Sequence, residues 1–175
     1  MTPFDLTDGV VLLSVPTVAD IDTITELCQD PEIRRWTEIP VPYARSDAEA
    51  FVSTSVVTGW ADDSTMTWGV RDAQDGRLHG MIAVDLVDDG EIGFWLDPRA
   101  RGRGWMTRAA RLAVAAAFEQ GVDHVRWQAF IGNQASKRVA LAVGFQLDGT
   151  VRRAINQRGV WRDAWVATLL PGELR

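Results

Sequence analysis

The 175-residue chain has one cysteine, one lysine, one tyrosine and two histidines. A lone Cys28 excludes an intramolecular disulfide and a cysteine-based structural zinc site, so the fold needs no oxidising compartment. No apolar run approaches the roughly 18 residues of a spanning helix, and residues 1–15 lack a positive leading region and a small-residue cleavage site. The compartment these absences imply is the cytoplasm, with no membrane partner. Basic charge is short as well. Eighteen Lys+Arg against 24 Asp+Glu give a formal net charge of −6, which argues against nucleic acid or anionic lipid as partner. Repeats, low-complexity tracts and linker-like stretches are missing, so residues 1–175 read as a single domain. A chain this long buries about 70% of the surface it exposes when unfolded, enough for a core with a cleft.

What is present alternates. Residues 10–15 are a β-type apolar run, and Ile21, Ile24 and Leu27 give helical spacing over 18–28. Ser46 and Glu49 have capping-box spacing ahead of Phe51 and Val52, which predicts a second helix from Ser46. Strands follow at 65–71 and 78–86 around a turn at 73–76, then a turn at Asp88-Asp89-Gly90 and a strand at 91–96 stopped by Asp97-Pro98. A glycine-containing loop leads into a helix over 104–119, stopped at Gly121. Its alanines make it small-sided enough to lie close against a sheet. A strand at 125–131, a helix at 134–143 and a hairpin of 145–154 with 160–170 complete the order. The fold class is mixed α/β, with an antiparallel front half and one parallel crossover through the alanine-rich helix. The last hairpin offers an edge for pairing, which leaves a homodimer open.

Residues 98–111 carry five arginines and no acid, a local +5 in a chain whose remainder is −11. A strand that runs through a glycine loop into a helix presents unpaired N–H groups where the helix dipole favours negative charge. Gly102 and Gly104 let the backbone close on a pyrophosphate, and arginines add bidentate contacts. A dinucleotide turn wants a third glycine where Thr107 stands, and a Walker loop wants Gly-Lys-Ser/Thr, so both fit poorly. An arginine-rich surface loop is the plain alternative. The flanking strand and helix and the reversed local charge favour a phosphate-bearing cofactor.

Arg99-x-x-Gly102-x-Gly104 at this junction resembles the acyl-CoA signature of the GNAT superfamily of N-acetyltransferases. Glu91-Ile92-Gly93-Phe94-Trp95-Leu96-Asp97-Pro98 resembles the fourth strand of the subgroup that includes the ribosomal-protein N-terminal acetyltransferases. Asn133-x-x-Ser136, running to Gly144-Phe145, is similar to its helix after the fifth strand. Asp30-Pro31-Glu32-Ile33-Arg34-Arg35-Trp36 and Ser46-Asp47-Ala48-Glu49-Ala50-Phe51 resemble its amino-terminal helices, and Gly159-x-x-Arg162-Asp163 its last hairpin. The likeness spans about residues 10–170.

The resemblance implies one mixed, mostly antiparallel sheet whose central strands splay to hold acyl-CoA, with helices on both faces. It implies acetyl-CoA as co-substrate and an amine acceptor as the other partner. Phe94, Trp95 and Leu96 would pair with the pantetheine arm. Arg99, Arg101, Gly102, Arg103, Gly104, Trp105, Met106 and Thr107 would hold the pyrophosphate. Asn133 would bind the pantetheine or adenine side, with Ser136 beside it. Many family members carry a tyrosine one helical turn after this serine. Ala140 stands there, and the only tyrosine, Tyr43, is far away in sequence.

Acyl transfer from a thioester needs a neutral amine and a stabilised leaving thiolate. Deprotonating an α-amine at pH 7 costs about 1 kcal/mol, a lysine-like amine about 4.6 kcal/mol. A weak base therefore suffices for an α-amine. Glu91 is the candidate base, acting through water on the face it shares with Gly93 and Trp95, or else a solvated hairpin carboxylate. Ser136 is the candidate donor to the thiolate, or else a cap of the helix after Asn133. His79 and His124 read as structural, Cys28 as buried and inert, and Asp163 as an acceptor-orienting group or an arginine's partner. Trp36 and Trp95 belong near an acceptor pocket, and no residue set reads as a metal site. The reading is an N-acetyltransferase using direct attack, with a protein or peptide N-terminus or a small-molecule amine as acceptor. Succinyl-CoA as donor and a non-catalytic acyl-CoA sensor are the alternatives.

Overall fold

Strand alternation decides which side chains meet which helices. In the computed structural model, which describes residues 1–87 and 90–175, Met66, Trp68 and Val70 alternate along β3 (Thr65–Asp72) and are fully buried. Asp88 and Asp89 of the predicted turn lie outside the described residues. The neighbouring strands are β1 (Leu6–Thr7), β2 (Val11–Ser14), β4 (Leu78–Asp85), β5 (Glu91–Leu96), β6 (Val125–Phe130), β7 (Gln146–Gln157) and β8 (Val160–Leu169). They form one sheet in the order β1-β2-β3-β4-β5-β6-β8-β7. Every described pairing is antiparallel except β5 with β6.

Register places Trp68 opposite Ile82, Ile82 opposite Phe94, and Ile92 opposite Trp127, so these side chains share one face. Helices α5 (Trp105–Glu119) and α6 (Gln134–Val143) cover it. Ala109, Ala110, Ala113 and Ala117 are buried there, and their small side chains let α5 lie close to the strands. The opposite face carries Met81, packed with Ile21 and Ile24 of α1 (Ile21–Leu27) and Ala48 of α3 (Arg45–Ala50). A π-helical segment, Phe51–Val56, joins α3 to α4 (Val57–Ala61). No described helix is long and apolar enough to cross a membrane.

Two local features depart from the sequence expectation, and a helix that the family resemblance implied is present. The helix predicted from Ser46 starts at Arg45, because the Asp47 carboxylate accepts from the Ala44 N–H at 2.7 Å and caps it earlier. A separate helix, α2 (Pro31–Trp36), is capped by Asp30, which accepts from the Ile33 N–H at 2.9 Å. β7 runs on to Gln157 through an irregularity between Val151 and Ile155. There Asp163 accepts from the main-chain N–H of Arg153 at 2.9 Å; its partner is an arginine's backbone and not its guanidinium.

The feature that positions the site lies in the middle of the sheet. β5 and β6 pair only at Glu91 with Arg126 and Ile92 with Trp127. Beyond that point β5 stays on β4 and β6 stays on β8, so the two strands diverge.

Candidate active site

The buried Asp97 ends β5 and accepts from the Arg99 main-chain N–H at 2.9 Å, opening a short turn, Pro98–Ala100. The turn aims the chain at α5 through Gly102 and Gly104, both at φ +77°. L residues hold that conformation at a cost, so the two glycines allow the tight entry into the helix. The first ladder bond of α5 runs from the Arg108 N–H to the Gly104 carbonyl at 3.1 Å. The amides of Trp105, Met106 and Thr107 therefore stand ahead of the ladder at the positive end of the helix dipole. A Cβ built at either glycine meets nothing within 4 Å, so the space above the loop is open to an anion.

That space belongs to a cavity of about 550 Å³ beside the diverging end of β5, between it, α2 and α6. Phe94, Trp95 and Leu96 line its β5 side; Arg101, Gly102, Gly104, Trp105, Met106 and Thr107 its mouth; Asn133 and Ser136 its α6 side. Two residues of the predicted cofactor set do not line it. Arg99 follows the buried Asp97 by two residues, and its Nε lies 2.9 Å from that carboxylate. Arg103 lies over the Trp105 ring, 6.0 Å from its centroid, and lines an adjoining cavity. Arg101 also spends its guanidinium on protein groups, donating to the Leu96 carbonyl and to Asp30, both at 3.0 Å. His79 stacks edge-on against Trp105 at 5.1 Å and supports the loop from below.

Ser136 is held from two sides. Its N–H donates to Asn133 Oδ1 at 3.1 Å, a helix cap, and its hydroxyl accepts from the indole N–H of Trp127 at 3.0 Å. Ala140, at the position of the family's tyrosine, is buried, and Tyr43 packs with Cys28 in a different cluster. Burial pushes the Cys28 thiol up to about 12, which keeps it protonated and inert.

Glu91 sits at the closed end of the divergence, outside the cavity lining, on the face it shares with Trp95. Gln128 of β6 donates to its carboxylate, so it is not a freely solvated hairpin acid. Burial pushes its pKa up; the Gln128 bond opposes this, and the negative charges of Asp85 and Glu38 add to it. Among the described residues no cluster of three or more His, Cys, Asp or Glu is arranged to hold a metal ion.

Glu32, Ile33, Trp36 and Thr37, from α2 and its exit, form the remaining wall. The tip of the β7–β8 hairpin holds that wall in place. Gln157 donates to the carbonyls of Arg35 and Thr37, both at 2.9 Å, and Arg158 to those of Arg34 at 2.8 Å and Ile39 at 2.9 Å. Sequence reasoning did not single out Trp127, Gln128, Gln157 or Arg158 for the site. Strand alternation separates Trp127 from Gln128, which was a usable signal, but the partner of Gln128 depends on register across nonadjacent segments and that of Trp127 on how α6 folds back onto β6.

Comparison with known proteins fits this geometry. The acetyltransferase (GNAT) domain description matches residues 11–146. The chain belongs to the GNAT acetyltransferase family. The probable N-acetyltransferase YjcK of Bacillus subtilis (strain 168) is 32% identical over 114 residues, which span 62% of this chain and 63% of that protein. Two solved structures share the GNAT fold at lower identity. One is RimL, a ribosomal L7/L12 alpha-N-protein acetyltransferase, in complex with coenzyme A: TM-score 0.85, 15% identity, covering 95% of this chain and 98% of that one. The other is the microcin C7 self-immunity acetyltransferase MccE in complex with acetyl-CoA and AMP: TM-score 0.83, 19% identity, covering 94% of each chain.

Proposed function

We propose that this GNAT protein is an acetyl-CoA-dependent N-acetyltransferase in which a primary amine attacks the thioester directly. The observation that carries this is the separation of β5 from β6 beyond Ile92 and Trp127, opening at the glycine loop of α5. Strand-edge amides and carbonyls that have lost a ladder partner suit an amide-bearing arm, and the helix N-terminus suits a pyrophosphate. Bound acetyl-CoA supplies the electrophilic carbonyl and the thiolate leaving group.

Glu91 takes the proton of the acceptor amine through a water, and its raised pKa brings it closer to neutral pH, where a base works best. Ser136 keeps its proton and donates a hydrogen bond to the thiolate as the C–S bond breaks and the new amide bond forms, and the proton that Glu91 has taken leaves with solvent. The acceptor we favour is an α-amine of a protein or peptide, because it needs only about 1 kcal/mol for deprotonation. RimL is named for such an acceptor. A small-molecule amine is the second class.

Calorimetric titration with acetyl-CoA, succinyl-CoA and CoA, followed by thiol release against peptides and small amines, tests the reading. Acetyl-CoA binding with amine-dependent thiol release is expected. Binding with no release from any amine would instead support the sensor, which the buried Ala140 in the family's tyrosine position favours. No binding to any of the three would overturn the cofactor assignment.

A further inference from the structure

Two helices wall the groove opposite β5: α6 contributes Ser136 and Val139, and α2 with its exit contributes Ile33, Trp36 and Thr37. The start of α2 is tied to the glycine loop, because Asp30 binds Arg101 at 3.0 Å. Six residues then carry the chain roughly 9 Å along the helix axis, so Trp36 stands at the end of the groove away from the loop. There its indole meets the exit of β6. A Cβ built at Gly132 would lie 3.4 Å from Trp36 Cη2, and the bare glycine, at φ +100°, leaves the ring that room. The ring tip thus touches the chain four residues before Ser136, next to Asn133, which caps that serine.

The ring is also fixed in place. Its N–H donates to Glu32 Oε2 at 2.9 Å, the Arg35 guanidinium lies 4.6 Å from its centroid, and Glu32 and Arg35 are 3.6 Å apart. It packs on Phe130, Ile155 and Ala164. The buried Gln157 donates to the carbonyls on either side of it, those of Arg35 and Thr37, both at 2.9 Å. A side chain with this many partners does not make way for a longer ligand without losing several of them.

Resting on the acetyl-CoA reading above, we propose that Trp36 is a specificity-determining residue for the acyl donor: its ring is a stop that admits a two-carbon acyl group and turns longer ones away. With the phosphates at the start of α5 and the sulfur at Ser136, the acyl group is the part of the donor that reaches the ring. Each further methylene has to displace a fixed indole and not water. Apolar pockets distinguish neighbours in a homologous series by about 10- to 200-fold.

The test measures binding of CoA, acetyl-CoA and butyryl-CoA by calorimetry, on the parent protein, Trp36→Ala and Trp36→Phe. The parent is expected to bind butyryl-CoA about tenfold or more weakly than acetyl-CoA. Trp36→Ala should erase that ratio by binding butyryl-CoA more tightly than the parent does. A merely loosened wall would weaken both acyl-CoAs together, so the gain for butyryl-CoA is the deciding readout. Retained binding of CoA shows that the variant is folded. If Trp36→Ala loses CoA binding, Trp36→Phe decides: it keeps a ring on Phe130, Ile155 and Ala164, gives up the second ring and the Glu32 bond, and should erase part of the ratio. Equal binding of both acyl-CoAs by the parent, or an unchanged ratio in Trp36→Phe, would overturn the stop and leave the acetyl-CoA reading standing. Failure of the parent to bind any of the three would overturn both.

Discussion

The indole N–H of Trp127 donates to the hydroxyl of Ser136 across 3.0 Å. An indole nitrogen is a donor only, so the serine oxygen must accept, and its own proton is left to point at another group. This makes Trp127 a positioning residue for Ser136. Trp127→Phe keeps most of the packing and removes the bond. The expected result is a fall of roughly 2- to 12-fold in kcat, from a bond of about 0.5–1.5 kcal/mol, with little change in KM for acetyl-CoA. In a Ser136→Ala background the same substitution should lower kcat no further, whereas a purely structural role would add to the loss.

Glu91 gives a prediction of opposite signs for stability and turnover. Because its folded-state pKa is raised, the folded protein holds the proton more tightly than the unfolded chain. Stability therefore falls as pH rises from the ordinary glutamate range through the raised value. Glu91→Gln should melt higher than the parent at pH 7, with the gap closing in acid, while turnover drops about 10²-fold. The parent's rate should rise with pH along a limb above the ordinary glutamate range, and the variant should lack it. An unchanged pH–rate profile would remove Glu91 from the mechanism.

Gly104→Trp addresses the loop itself. The open space above position 104 tolerates a side chain sterically, but the φ of +77° does not favour one, and an indole there blocks the groove. Strain of about 1–3 kcal/mol lowers the melting temperature modestly. Acetyl-CoA binding, read by calorimetry, should vanish while the fold persists. Parent-like binding would show that the phosphates go elsewhere.

Asp20 and Arg71 form a largely buried ion pair at 2.7 Å, outside the lining of the groove. Burial resists ionisation of Asp20, but the hydrogen bonds from Arg71 and Thr17 outweigh it and hold the carboxyl below its usual range. That stability is present above the ordinary aspartate value and is lost as pH falls through the depressed one. Asp20→Asn leaves Arg71 uncompensated and should cost about 3–5 kcal/mol in urea unfolding at pH 7, with a smaller difference in acid.

The parts of this fold that sequence disclosed are the ones governed by neighbours in the chain. Alanine spacing in α5, the glycines ahead of it and the closing hairpin are local patterns, and the structure has them where expected. Helix α2 was legible only as a family motif, although Asp30 followed by Pro31 is itself a cap signal. β1, two residues long, carries too few positions for a period to show. The Trp127–Ser136 and Gln128–Glu91 contacts were out of reach for a different reason. The Gln128–Glu91 contact needs the register of a parallel strand pair that only two residue pairs define, and the Trp127–Ser136 contact needs the way α6 folds back onto β6.

The clasp of Gln157 and Arg158 on the exit of α2 joins residues more than a hundred positions apart. A ribosome making this chain delivers the α2 wall early and its fastening late. Until the hairpin tip emerges, the wall's carbonyls have no donor for that grip, and the groove has only one firm side. Non-local contacts of this kind are the slow ones to close. Cofactor capture is therefore a property of the finished protein, and the nascent chain passes most of its synthesis unable to sequester the acetyl donor.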